Sequence, residues 1–209
     1  MKYRSLFFLS AFLVCSFTAP LTSNTDSQVM QLADSQMGLY LAKIDPGKEA
    51  DYGFTEQDDL DACVVGKPYR IMELSKSFYS ETIQPGISYI NIENKWLVPI
   101  AINHQYRSLL TIKGNPGNLN VTSLGAAALA KELQLASLAV NDSEEFYLLR
   151  VPALSADFFV HEGGYSFSEA RFLPLESATK AIPALSPGKE DYSLKEIQNI
   201  IKEQLTAKR

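Results

Sequence analysis

Hydrophobic and polar positions along this 209-residue chain change period several times, and each change marks an element. Val29, Leu32, Ala33, Gln36, Met37 and Tyr40 recur near the spacing of one helical face, which predicts an amphipathic helix over about 27–42. Thr25 with Gln28 has the form of a capping box at its start. Asp45-Pro46-Gly47-Lys48 ends it as a turn. A second, short helical signal begins at Thr55, with acids in its first turn and Leu60 and Ala62 before Gly66.

From Lys67 the period shortens towards two. Strands are predicted over 69–74, 87–92, 96–102, 107–113 and 119–122. Glu93-Asn94-Lys95 reads as the polar turn of a hairpin between the second and third of these. Pro99 has no N–H for a ladder, so its strand is expected at a sheet edge or with a bulge. Short connections between neighbouring strands predict an antiparallel meander. Residues 124–139 are rich in Ala and Leu and predict a helix, and Ala126, Ala127 and Ala128 suit close packing on a sheet.

Further strands are expected over 146–151, 157–161 and 165–173, with Gly163-Gly164 as a turn. The last helix spans about 194–207: Ser193 and Glu196 form a capping box, and Leu194, Ile197, Ile200, Ile201 and Leu205 line one stripe. Pro46-Gly47-Lys48-Glu49 with Asp51-Tyr52 echoes Pro187-Gly188-Lys189-Glu190 with Asp191-Tyr192, but the residues before each copy differ, so recurring turn chemistry explains it. The expected fold is α+β: one domain over 24–209, a mostly antiparallel sheet of about five to seven strands, and N-terminal, central and C-terminal helices packed on it.

The first residues follow another pattern. Lys2 and Arg4 precede the apolar run from Leu6 to Val14, and small residues follow. That is the form of a secretory signal peptide over 1–23, with cleavage expected after Ala19 or Ser23. The run falls short of the roughly 20 apolar residues that span a bilayer. Val14 directly before Cys15 argues against a lipid anchor at that cysteine. The expected destination is therefore extracytoplasmic, either secreted or periplasmic.

Composition narrows the partners. The net charge of −5 becomes −7 once Lys2 and Arg4 leave with the signal, and no cluster of Lys and Arg offers a nucleic-acid surface. A hydrophobic content of 46% fits a packed core and argues against disorder. After cleavage Cys63 is the one cysteine left, which precludes an intramolecular disulfide in an oxidising compartment.

Catalytic signatures are weak. Cys63 sits between Ala62 and Val64 with no nucleophile motif, and a buried structural thiol is the expected state. His104 belongs to a polar connection and His161 to a turn, and neither has a partner at metal-ligand spacing. Glu56, Asp58, Asp59 and Asp61 lack the alternation and central glycine of a calcium loop. No G-x-S-x-G and no phosphate loop occurs, so neither metal nor cofactor is expected. Asn120-Val121-Thr122 and Asn141-Asp142-Ser143 match the glycosylation tripeptide, which matters in a eukaryotic secretory route.

The candidate binding residues are Tyr89, Trp96, Tyr106 and Arg107, because Trp, Tyr and Arg commonly anchor interfaces. The leading expectation is an exported, non-enzymatic binding module, inhibitor-like or envelope-associated, that meets protein or peptide through an edge strand. The alternatives are a small exported hydrolase using a carboxylate pair or Cys63, and a structural envelope component.

Overall fold

A computed structural model describes residues 22–75, 77–78, 89–138, 140, 146–161, 170–185 and 191–207. The signal segment before Thr22, the Gly163-Gly164 turn and most of the second Pro-Gly-Lys-Glu echo lie outside the described residues. The described elements are helix α1 (Thr22–Leu41), strands β1 (Val64–Val65), β2 (Tyr69–Leu74), β3 (Ile90–Ile102), β4 (Gln105–Asn115) and β5 (Asn118–Gly125), helix α2 (Ala127–Leu138), strands β6 (Tyr147–Val151), β7 (Ala156–His161) and β8 (Arg171–Pro174), helix α3 (Glu176–Ala181), strand β9 (Tyr192–Ser193) and helix α4 (Leu194–Ala207). The architecture is α+β, as its sequence pattern predicts.

All nine strands belong to one sheet in the order β5-β4-β3-β2-β6-β7-β8-β9, with β1 also paired to β3. Every pairing is antiparallel except that of β2 with β6. The sheet is thus two meanders running outward from a parallel central pair. Joining β2 to β6 in parallel requires a crossover, and the chain makes it through the first meander and α2.

Helices cover both faces. On one face α1 seals β3 to β5 over Trp96, Val98, Ile100, Leu110 and Ile112. Further along that face α4 contributes Ile197 and Ile201 over Met72, Leu149, Phe158, Val160 and Phe172. On the opposite face α2 buries Ala130, Leu133 and Ala136 against Tyr69, Ile71, Leu97, Leu109, Leu148 and Phe159. This explains the unbroken burial of 96–102 in β3: a strand sandwiched between α1 and α2 needs apolar side chains in both directions.

Several expected boundaries move. The chain does not turn at Glu93, Asn94 and Lys95; β3 runs straight through them, and its register with β2 slips there instead, from Trp96 opposite Arg70 to Ile92 opposite Met72. Extra residues in one strand form a bulge, which absorbs a polar run without ending the strand. The true hairpin turn is Asn103 and His104, both left-handed with φ of 51° and 62°.

β3 is not an edge, but it does carry a bulge, the other outcome expected of a strand that holds a proline. Its proline is accommodated because β1 and β2 separate beside it: the Pro99 carbonyl accepts the Gly66 N–H at 2.8 Å, so the missing donor falls where no ladder partner is required. α1 starts before the Thr25–Gln28 pair, which lies inside the helix and is no cap. The segment after Thr55 forms tight turns and a 3-10 helix over Leu60–Ala62. His161 ends strand β7 and stacks on Phe159. The Ser193–Glu196 box forms as its spacing predicts, with the Glu196 carboxylate accepting the Ser193 N–H at 2.8 Å.

Candidate functional site

The four aromatic and basic residues of the expected patch do not converge on a surface. Trp96 is 0% exposed beneath α1, where its indole N–H donates to Asp26 Oδ1 at 3.0 Å and the Arg70 guanidinium lies 5.1 Å above the ring. Tyr89 is also 0% exposed and packs edge-on to Phe78. Tyr106 is half-buried on the opposite face with the α2 cluster. Core packing claims Trp96 and Tyr89. The hydrophobic return from burying an indole or phenol ring is large once the polar tip has a partner.

Arg107 has a local reason for its position. Ile100 faces Ser108 and Ala101 faces Tyr106, so Arg107 is an extra residue in β4 and its side chain is re-aimed. Its Nη2 reaches Asp58 Oδ1 at 3.2 Å, with side-chain exposures of 19% and 7%. Asp58 also accepts the Thr55 N–H at 2.7 Å. Burial pushes the Asp58 carboxyl up, but the Thr55 hydrogen bonds and the Arg107 cation outweigh it and hold the carboxyl below its ordinary value. This ion pair pins the 54–62 segment to the sheet. Gly53 serves the same seam: at φ +89°, a Cβ there would lie 2.1 Å from the Arg107 carbonyl.

Cys63 is buried and unbridged. Burial, reinforced by Asp58, Asp59 and Asp61, pushes its thiol up to about 11. A thiol so disposed is disfavoured as a thiolate near neutral pH. His104 is exposed in its turn, and the Gln134 side chain of α2 clamps that turn by donating to the His104 carbonyl at 2.6 Å and accepting the Tyr106 N–H at 3.0 Å. Among the described residues no group of three His, Cys, Asp or Glu side chains gathers to hold a metal. No described helix is long and apolar enough to cross a membrane.

An open strand edge exists, but elsewhere than on the Trp96 strand. β5 pairs with β4 and, among the described strands, with no other. Leu119, Val121 and Leu124 point into the α1 cluster, while Asn118, Asn120, Thr122 and Ser123 are exposed. The β5 segment holds no charged residue and no proline, the two devices that most often blunt an edge. The Pro116-Gly117 loop makes Asn115 and Asn118 a mutually bonded pair, so the backbone groups of Leu119 and Val121 turn away from β4.

α1 flanks this edge along its length. Gln28 Oε1 accepts the Gly117 N–H at 3.3 Å, and the Tyr40 hydroxyl donates to the Val121 carbonyl at 2.6 Å. The opposite edge, β9, offers only Tyr192 and Ser193. The signal that separates β5 from β3 in sequence is one of pattern: β5 alternates apolar and polar residues, whereas 96–102 is apolar throughout. Comparison with protein-family models, with curated proteins and with solved structures finds no match to this chain.

Proposed function

We propose that this protein is an exported, non-enzymatic binding module that takes an extended segment of a partner polypeptide onto the free edge of β5. The observation that carries the reading is that edge: eight residues, uncharged, without proline, bonded on one side only among the described strands. Strand addition draws its affinity from main-chain hydrogen bonds and its selectivity from flanking side chains. Here the Leu119 N–H and C=O and the Val121 N–H would serve the incoming backbone, and α1 would wall one side of its path. The Lys2–Arg4 and Leu6–Val14 pattern supports export, which puts the partner outside the cytoplasm.

The test is a random dodecapeptide library panned on the protein and on an Asn120→Lys, Thr122→Lys variant. Both positions are exposed, so the double change leaves folding nearly untouched while charging the edge. Enriched peptides should bind the parent and lose most of their affinity for the variant. Equal binding to both would contradict the reading, and parent dimers that the variant abolishes would assign the edge to a second copy instead.

A further inference from the structure

Lys95 of β3 and Lys113 of β4 are Cα partners in a regular stretch of their ladder. Residues directly opposite each other on antiparallel strands share a face, with Cβ atoms about 4.5–5.5 Å apart. The next pair, Trp96 and Ile112, belongs to the α1 cluster, so the two lysines project from the other face. Asn120 of β5 lies opposite Lys113 and carries the same row onto a third strand. α2 covers this face at Leu97 and Leu109, but Lys113 and Asn120 are exposed and Lys95 is half-buried.

Like charges directly opposite each other on a sheet are destabilising. Neither lysine forms an ion pair among the described residues, whereas Arg150 is held by Asp157 at 3.0 Å. Burial, and then the Arg150 and Lys113 cations, push the Lys95 ammonium down from its ordinary 10.5; Glu73 and Glu93 offset only part of this. So cationic a row stands out in a chain of net charge −5, and no described contact within the fold rewards it. We propose that Lys95, Lys113 and Asn120 hold a phosphoryl group, either free phosphate or a phosphate monoester. A phosphate dianion answers two ammonium groups at once, where a carboxylate would neutralise one, and the Asn120 amide supplies a neutral donor beside them. The site lies on the sheet face and does not depend on strand addition at the β5 edge.

The test titrates the full chain with inorganic phosphate, methyl phosphate and sodium chloride at matched ionic strength. The pH is held at about 7.5, where a phosphoryl group is mainly dianionic. Thermal shift and amide chemical shifts are the readouts. One or both phosphates should raise the melting temperature and move the resonances of Lys95, Lys113 and Asn120, while chloride should do neither. Binding of methyl phosphate would assign the site to a phosphorylated molecule, and binding of inorganic phosphate alone to the free ion. Lys113→Gln should bind phosphate about fivefold or more weakly, because one charged donor is lost. Without phosphate that variant should melt at or above the parent temperature, since the repulsion between opposed lysines is relieved. Chloride reproducing the phosphate effects, or a Lys113→Gln variant that keeps its phosphate affinity, would overturn the proposal. So would a phosphate-free Lys113→Gln protein melting well below the parent, or a parent whose observables neither phosphate changes.

Discussion

Replacing Trp96 distinguishes a core residue from an interface anchor. The indole is 0% exposed, touches the α1 cluster, donates to Asp26 at 3.0 Å and lies under Arg70. Truncating a fully buried large aromatic to alanine costs about 3–5 kcal/mol. That is a large share of the roughly 5–15 kcal/mol by which domains are stable. For a chain of this size each kcal/mol moves the midpoint by about 2–4 °C, so Trp96→Ala should melt about 6–20 °C below the parent.

Circular dichroism melting measures this directly, and the parent can be followed in parallel by the emission of its one tryptophan. Asp26→Ala isolates the tether: it strands a shielded indole N–H and should cost about 1–3 kcal/mol. Leu39→Ala, at a residue 59% exposed on the outer side of α1, should stay within about 0.5 kcal/mol. A Trp96→Ala protein melting within about 2 °C of the parent would refute the placement of this residue, since that corresponds to no more than ~1 kcal/mol.

The remaining predictions concern the seam around 53–63. The Asp58 carboxyl is depressed below its ordinary value of 3.8, so its stabilising contribution is present above that pH and is lost as pH falls through the lower folded value. Asp58→Asn should therefore destabilise at neutral pH, with the gap to the parent closing below about pH 4 in urea titrations; a gap independent of pH would contradict the assignment. Cys63 should resist iodoacetamide in the folded protein at pH 7.5 and react once urea unfolds it, as mass spectrometry would record; rapid alkylation of the native chain would show an accessible thiolate.

Much of the fold is legible in the chain because local pattern and global packing agree. The Leu194–Leu205 stripe and the Ser193–Glu196 box specify α4 almost to the residue. The errors have a common source in contacts distant along the chain. Glu93, Asn94 and Lys95 look like a turn, but a turn can be replaced by a bulge when neighbours hold the strand on both sides. Pro99 suggests an edge or a bulge, and the separation of β1 from β2 shows how a central strand tolerates it. The unbroken apolar run 96–102 was the opposing signal, and it outweighs the proline.

The parallel pairing of β2 with β6 joins residues 77 positions apart, Arg70 with Tyr147 among them, and leaves no local trace. The places of Tyr89 and Trp96 are hidden from the sequence for a related reason. Tyr and Trp are enriched at interfaces and in cores alike, and composition alone does not choose between them. Burial of Tyr89 and Trp96 chooses the core. The strand over 119–122 is legible in the chain, but its position at the end of the sheet needs the topology.

The central claim is that β5 accepts a strand, and amide hydrogen exchange tests it most directly. In the free protein the N–H groups of Leu119 and Val121, which face away from β4, should exchange far faster than their Lys113–Asn120 neighbours. Saturation with a library-selected peptide should slow Leu119 and Val121 and leave α2 and α4 unchanged. Slow exchange at both amides before any peptide is added, or peptide-induced protection confined to another element, would contradict the account.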